Sequence, residues 1–252
     1  MKRRLRAIQT RASMFAFRRA SLIHLYCLCW NEARMLPYFF RHYDPLVDRY
    51  FIFDNGSTDG SLELLRRHPK VTSRTFEVVG DSFVASARDF YESSWQESRG
   101  TADWVILVNV DEHLYHPRGR DYFRSSLRRG YTILPASGYE MVSKDFPHCA
   151  ALLHATVKTG VATHMLNKLC VFRPDAITRI GYGEGRHSAA PEGHVVSPRH
   201  PELTLLHYKY LGEAYVIDRY AQLRRGIRPG DRAQRWGHHY FQADTQIADI
   251  HR

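Results

Sequence analysis

The chain has 252 residues and a formal net charge of +10 at pH 7, with 44% hydrophobic, 13% aromatic and 25% charged residues. This length suffices for one large domain or two small ones, and the composition excludes a disordered chain, a collagen-like repeat and a disulfide-stapled miniprotein. The excess of 36 Lys and Arg over 26 Asp and Glu favours an anionic partner, such as a nucleotide, a phosphosugar, an anionic lipid or a nucleic acid.

The first twenty residues are strongly basic and contain no acidic side chain. They lack the apolar core and the small-residue cleavage site of a signal peptide, and no stretch approaches the roughly 20 apolar residues of a spanning helix. The four cysteines form no CxxC pair, which fits buried thiols in a reducing compartment. We predict a basic tail over residues 1–20 and a cytoplasmic protein, with peripheral contact to an anionic inner-membrane face as a further option.

From residue 21 to 135, strand-like and helix-like segments alternate. The predicted strands cover 22–29, 50–53, 71–78, 104–110 and 131–134, and the predicted helices cover 35–43, 61–68, 82–98 and 119–129. The run WVILVNV at 104–110 is almost continuously apolar, as expected of a strand buried on both faces. This order indicates βαβ units, and therefore an α/β fold with a mostly parallel central sheet flanked by helices.

After residue 135 the pattern changes. Scattered strands are predicted at 168–172 and 203–210, a helix at 213–225, and a loop rich in Gly, Pro and His at 181–201. No internal repeat or low-complexity linker divides the chain. We therefore predict a single domain over residues 21–252.

Acidic side chains follow two of the predicted strands. Asp54 comes after the second strand, and Asp111 and Glu112 come after the WVILVNV strand. Ligands of parallel sheets bind at the carboxyl ends of the strands, where carboxylates suit Mg²⁺ or Mn²⁺ bridging the phosphates of a nucleotide. Asn109 and Asp111 alternate along the strand and are expected to point the same way. The alternative for both groups is an ordinary strand end followed by a capped turn.

The segments NEARMLPYFFRHYDPLVDRYFIFDNGSTDGS and ADWVILVNVDEHLY, in this order, resemble the GT-A glycosyltransferases, above all a bacterial family-2-like subgroup. A weaker similarity continues from Asn167 and Lys168 to His207 and Tyr208. The resemblance implies a GT-A fold, with a nucleotide-binding half at 21–135 and an acceptor-side half at 136–252. It also implies inverting transfer of a sugar from a UDP- or GDP-linked donor to a glycan or lipid-linked acceptor hydroxyl, assisted by Mn²⁺ or Mg²⁺.

The resemblance assigns roles to single residues. The expected contacts to the nucleotide donor are Asn31, Glu32, Asp54, Asn55, Arg88, Asn109 and Lys209. Asp111 matches the metal-binding acid of the DxD-type motif, and His207 is the candidate second metal ligand or diphosphate contact. Asn109 stands where the family usually has aspartate, which implies weaker metal binding and leaves an inactive relative as an alternative.

Inverting sugar transfer also needs a carboxylate that accepts the proton of the acceptor hydroxyl. Glu140 and Glu184 lie in Gly-containing segments of the second half and are the candidate catalytic bases. Glu112 is a third candidate, and the sequence does not choose among them.

Two other classes of function remain open at this point. A metal-dependent nucleotidyl or phosphoryl transferase would use the same carboxylates, but neither a P-loop nor a GxGxxG loop follows the first predicted strand. A basic nucleic-acid-binding protein would use the charge of +10. No helix-turn-helix, zinc-finger or RNA-binding signature is present in the sequence, so we expect no nucleic-acid partner.

Overall fold

The computed structural model describes residues 21–148, 150–242, 246–247 and 250, so the predicted basic tail and Cys149 lie outside the described residues. The strands are β1 (Ile23–Cys29), β2 (Arg49–Asp54), β3 (Val71–Thr75), β4 (Trp104–Leu107), β5 (Glu112–Tyr115), β6 (Ile133–Ser143), β7 (Thr159–Ala162), β8 (Lys168–Phe172), β9 (Ile177–Arg179), β10 (Glu192–Gly193) and β11 (Leu203–Leu211). The helices are α1 (Leu36–Tyr43), α2 (Ser61–Arg67), α3 (Phe83–Ser93), α4 (Arg120–Arg128), α5 (Leu153–Thr156), α6 (Glu213–Gly226) and α7 (Pro229–Ala233).

A nine-stranded sheet forms the centre, in the order β3-β2-β1-β4-β8-β6-β11-β5, with β7 paired to β6. Strands β1 to β4 pair in parallel, and so do β6 and β11. Because β8 lies antiparallel between β4 and β6, both parallel groups run in the same direction, while β5 and β7 run the other way. The α/β fold with a mostly parallel central sheet is confirmed.

The sheet is covered on both faces. In β1, Leu25 and Cys27 belong to one buried cluster and Tyr26, between them, to another, because successive side chains of a strand point to opposite faces. Helix α1 buries Leu36, Phe39, Phe40 and Tyr43 against the first cluster, at the spacing of one helical stripe. No helix of the described residues is long and apolar enough to cross a membrane.

Several bounds differ from the prediction. The strand predicted at 104–110 ends at Leu107, and Val108 and Val110 are buried in the connection to β5 instead of in the sheet. The strand predicted at 71–78 ends at Thr75, and the one predicted at 131–134 continues to Ser143, through the predicted boundary between the two halves. The helix predicted at 82–98 ends at Ser93. An apolar run indicates burial, but it does not distinguish a strand from a buried turn.

The cysteines of the described residues are free and buried, as predicted: Cys27, Cys29 and Cys170. Burial raises the pKa of the Cys170 thiol to about 12. Because the thiolate is the reactive form, a thiol with such a pKa is inert at neutral pH.

Histidine side chains meet between α1, β5 and α5. The rings of His42 and His113 stack with centroids 4.5 Å apart, and the ring of His154 lies 5.8 Å from that of His42. Nε2 of His42 lies 2.8 Å from the carbonyl oxygen of Leu114, as expected of a neutral ring that donates this hydrogen bond. Burial is the main cause that lowers the pKa of His42 to about 4. His42 is therefore neutral at pH 7.

We predict that His42 makes the fold less stable as the pH falls from 6.5 to about 4. The unfolded chain takes up this proton first, so the free energy of unfolding decreases across that window. His42→Gln keeps a donor for Leu114 and should reduce the loss by up to about 3 kcal/mol. Urea unfolding across this pH range measures the effect, and His200→Gln, at an exposed histidine, is the control. Identical pH dependence in the wild type and His42→Gln would contradict the prediction.

Candidate active site

The loops after β1 and β2 are tied together by hydrogen bonds. The N–H of Asn31 donates to Oγ of Ser57 at 2.8 Å, and the N–H of Thr58 donates to Oδ1 of Asn31 at 2.7 Å. The N–H of Ala33 donates to the Asp59 carboxylate at 2.9 Å. Asn31, predicted to contact the donor, thus also holds the DNGSTDG loop in place.

Asp54 ends β2 and is only 3% exposed. Its Oδ2 accepts the N–H of Ser57 at 2.9 Å, whereas Oδ1 is buried and has no hydrogen-bond partner among the described residues. A buried acceptor without a partner is costly, so Oδ1 is an open position for a ligand's donor group. The N–H of the next residue, Asn55, donates to the carbonyl of Cys29 and joins the ends of β1 and β2.

Glu32 forms a salt bridge with Arg219 of α6, a residue that the sequence analysis missed. The guanidinium of Arg219 also donates to the carbonyl oxygens of Trp30 and Asn31, at 3.1 and 2.9 Å. Burial raises the pKa of Glu32 to about 7, although the charge of Arg219 acts in the opposite direction. Helix α6 therefore fixes the chain that leaves β1, and Glu32 is engaged in that contact.

Asp111, His207 and Glu140 form a row, which we call the acid–histidine row. Nε2 of His207 lies 3.1 Å from Oδ2 of Asp111, and Nδ1 lies 2.7 Å from Oε1 of Glu140. The strands explain the second contact, because His207 of β11 is the register partner of Glu140 in β6. Although burial acts against it, the two carboxyl groups raise the pKa of His207 to about 10. An imidazolium therefore lies between two carboxyl groups.

The acid–histidine row suits a divalent cation by its ligand atoms. The carboxylate oxygen of Asp111 and an imidazole nitrogen of His207, once the ring has released a proton, are ligand types found at Mn²⁺ sites. Among the described residues, no three His, Cys, Asp or Glu side chains form a cluster that could hold a metal ion by themselves. Mg²⁺ is commonly held by one or two protein carboxylates together with substrate phosphates, so this short set fits a cation that arrives with a diphosphate.

Glu112, directly after Asp111, is fully buried between two cations. Oε1 lies 2.6 Å from Nζ of Lys168, and Oε2 lies 2.6 Å from the guanidinium of Arg186. Oε2 also accepts the N–H of Asn109 at 2.8 Å. Although burial raises it, the charges of Arg186 and Lys168 hold the pKa of Glu112 well below its usual range. Both oxygens are occupied, which argues against Glu112 as the catalytic base.

Arg186 also determines how Asn109 is oriented. Its guanidinium donates to the Leu107 carbonyl at 2.7 Å and to Oδ1 of Asn109 at 3.2 Å, and the Tyr91 hydroxyl donates to the same Oδ1 at 2.9 Å. Asp111 instead contacts the histidine of the row. The expectation that Asn109 and Asp111 point the same way is wrong, because β4 ends at Leu107 and the alternation of a strand ends there too.

The loop that carries Arg186 is anchored by Glu92 of α3. The Glu92 carboxylate accepts the N–H groups of Ile180, Gly181 and Tyr182 at 2.8, 3.1 and 3.1 Å. Arg186 itself has a φ of +59°, in the left-handed region that non-glycine residues seldom adopt. Sequence reasoning missed both residues, and a positive φ at arginine has no signal in the sequence.

Two predicted residues lie away from the acid–histidine row. Glu184 is exposed in the 3₁₀ turn Glu184–Arg186, where only the arginine is buried. Arg88 of α3 is half-buried and pairs with the neighbouring, exposed Asp89 at 3.2 Å. The structure thus separates Glu184 from Glu140, which the sequence treats alike.

Lys209 follows His207 on β11 and lies among aromatic rings. Its Nζ is 5.4, 5.2 and 5.7 Å from the ring centroids of Tyr210, Tyr220 and Tyr240. Burial lowers the pKa of Lys209, although the negative charges of Glu140 and Asp111 act in the opposite direction. Lys209 therefore lies within electrostatic reach of the acid–histidine row. The turn His238–Phe241, which contains Tyr240, covers this end of the site.

A comparison of sequences finds similarity to a glycosyltransferase. The chain is 25% identical over 199 residues to a glycosyltransferase family 92 protein of rice (Oryza sativa subsp. japonica). The match covers 74% of this chain and 33% of the rice protein, so the chain spans about a third of that relative's length. No family model matches the chain. The resemblance to glycosyltransferases is supported, while the bacterial family-2-like subgroup remains a prediction.

Two solved structures follow part of the same chain path. TarS of S. aureus, residues 1–349, covers 91% of this chain and 69% of its own, with a TM-score of 0.43 and 9% identity. Glucosyl-3-phosphoglycerate synthase of Mycobacterium tuberculosis, bound to Mg²⁺ and UDP, covers 50% of this chain and 46% of its own, with a TM-score of 0.34 and 20% identity.

Arg186→Met should lower the free energy of unfolding by about 3 kcal/mol or more, because it removes one of the two cations from a buried carboxylate. Urea unfolding at neutral pH measures the loss. The control is Arg179→Met, which breaks an exposed pair with Glu192 at 2.9 Å and should cost less than about 1 kcal/mol. Equal losses in the two variants would show that the buried network does not stabilise the fold as described.

Proposed function

We propose that the protein is a glycosyltransferase that moves a sugar from a UDP- or GDP-linked donor to a hydroxyl group of a glycan or lipid-linked acceptor. One observation carries the proposal. Asp54, with its free buried oxygen, and Asp111, in the acid–histidine row, follow the strands β2 and β4, which lie on either side of β1. Carboxyl ends of parallel strands are where such sheets bind ligands. The similarity to the rice protein favours sugar transfer over other chemistry with the same carboxylates.

The donor would lie across the ends of β2, β1 and β4. Asp54 accepts a hydrogen bond from an N–H of the base through Oδ1, which has no other partner among the described residues. Asp111 and His207 would hold Mn²⁺ or Mg²⁺, which when bound neutralises charge on the departing diphosphate. Lys209 adds a positive charge near the same phosphates. Arg88 remains a predicted donor contact, and in the structure it pairs with Asp89.

The acceptor would approach from the side of β6. Glu140 is the carboxylate best placed to accept the hydroxyl proton, because it lies in the acid–histidine row and touches His207 at 2.7 Å. Glu184 is the second candidate and is exposed. Inversion at the sugar, which the family-2-like motifs imply, needs this base on the face of the sugar opposite the leaving diphosphate.

We expect one of UDP, GDP, CDP or TDP to raise the melting temperature, and Mn²⁺ to enlarge the shift. A ligand at a hundred times its Kd stabilises a protein by about 2.7 kcal/mol, or about 5–10 °C for a chain of this size. Asp111→Asn should lose the part of the melting-temperature shift that depends on Mn²⁺. The control is Asp121→Asn, at an exposed carboxylate paired with Arg124, and this variant should keep the Mn²⁺-dependent part of the shift. No shift of the wild type with any nucleotide would overturn the proposal.

Glu140→Gln should slow hydrolysis of the nucleotide-sugar, with water as acceptor, by about a hundredfold or more, because it removes the proton acceptor. Glu184→Gln should slow it clearly less, since that side chain is exposed and outside the row. Released nucleoside diphosphate is the readout. A nucleotidyl transferase would instead join a nucleoside triphosphate to a sugar 1-phosphate and release pyrophosphate, so pyrophosphate formed from those two substrates would favour that alternative. A larger loss in Glu184→Gln would reassign the base.

A further inference from the structure

A groove of about 720 Å³ opens at the carboxyl ends of β6 and β11. Its lining comes from the chain after β6, from residues 211–215 at the start of α6, and from Arg34 after β1. Ser143, at the end of β6, is three residues beyond Glu140, or about 10 Å along the strand. The groove therefore begins within the length of a short saccharide from the proposed base, and its volume is that of a small-molecule site.

Two exposed cations line this groove, Arg34 and Lys144. Within the part of the chain that the structure describes, neither forms a salt bridge. The guanidinium of Arg34 lies 3.9 Å from the ring centroid of Phe146 and 5.2 Å from that of Tyr215. Stacking holds the plane of the guanidinium and leaves its N–H edge for a ligand, which is the arrangement that binds carboxylate and phosphate with two hydrogen bonds.

Two carboxylates, Asp145 and Glu213, line the same groove, and they too make no salt bridge with other described residues. Carboxylate oxygens accept hydrogen bonds from the hydroxyl groups of a sugar. A groove that combines free cations with free carboxylates is therefore complementary to a molecule with both an anionic group and several hydroxyls. A simple phosphate ion would use only the cations.

The wall of the groove is rigid where the chain passes Gly212. This residue has a φ of +88°, and a Cβ there would lie 2.8 Å from the backbone nitrogen of Phe146. The N–H of Gly212 donates to the Ser143 carbonyl at 2.9 Å, which joins the two sides. Tyr215, only 8% exposed, supports Arg34 from below. The cations are thus presented by a preformed surface.

We propose that this groove binds the acceptor, and that the acceptor is a saccharide bearing a carboxylate or a phosphate. Arg34 and Lys144 bind the anionic group, Asp145 and Glu213 bind hydroxyls, and a further hydroxyl extends toward Glu140. The role as acceptor rests on the proposed sugar transfer. The binding of an anionic saccharide can be tested without it.

The test uses glucose, glucuronic acid and glucose 6-phosphate, which share one ring and differ in charge, with inorganic phosphate as a fourth probe. NMR titration of the full chain measures each Kd. We expect glucuronic acid or glucose 6-phosphate to bind at least about tenfold more tightly than glucose, and the stronger of the two identifies the anionic group. Equal affinity for glucose would overturn the proposal. Inorganic phosphate binding as tightly as the better sugar would overturn the saccharide assignment.

Arg34→Gln should raise the Kd of the anionic sugar by about tenfold. If Arg34→Gln lowers the melting temperature, Lys144→Gln is used in its place. The matched control is Arg49→Gln, because Arg49 is also exposed and lies 5.8 Å from the Phe51 ring, but at the beginning of β2, the opposite end of the strands. If Arg34→Gln and Lys144→Gln lose no more affinity for the anionic sugar than Arg49→Gln does, the assignment of the binding site to this groove is overturned.

The nucleotide panel on the wild type separates the two proposals. Suppose that an anionic sugar binds in a way that depends on Arg34, but that no nucleotide raises the melting temperature. The groove would then remain a saccharide site, while the proposals of sugar transfer and of an acceptor role would be overturned. A nucleotide shift without preference for an anionic sugar would keep sugar transfer and overturn the groove assignment.

Discussion

The arrangement of the site depends on one buried ion network, in which Glu112 is held by Lys168 and Arg186. A fully buried carboxylate is tolerated in its charged form only when its charge and both of its oxygens are matched, and this one is matched by a cation at each oxygen. Lys168 belongs to β8 and Arg186 to the loop after β9, so the network joins the first residue of β5 to two later segments of the chain. Asp111 directly precedes Glu112, so the network also restrains its backbone.

Other contacts to the site follow the same plan. The end of β1 is held by Arg219 from α6, and the loop of Arg186 is held by Glu92 from α3. Arg219 binds the backbone carbonyls directly after β1, and Glu92 binds the backbone N–H groups directly after β9. In both cases a side chain remote in sequence holds a loop of the candidate site. Residues from both halves of the chain therefore contribute to the candidate site.

The hydrophobic pattern was enough to predict the α/β fold, and the strand ends were enough to select Asp54 and Asp111 as candidate site residues. They did not predict the ion network, because Arg186 is 74 residues from Glu112 and takes part through a backbone conformation that no pattern encodes. The end of β4 was misplaced since Val108 and Val110 are as buried as strand residues. Glu140 and Glu184 looked equivalent because local composition carries no information on which loop is exposed.

The uncharged amide of Asn109 affects the balance of charges in this region. Asp111, Glu112 and Glu140 bring three carboxylates to this region, and Lys168, Arg186 and His207 bring three positive charges. The positive and negative charges cancel without a contribution from residue 109, whose side-chain oxygen already accepts hydrogen bonds from Arg186 and Tyr91. An aspartate there would add a charge that the guanidinium, already paired with Glu112, would have to share. With an amide at residue 109, the charges of this interior therefore sum to zero.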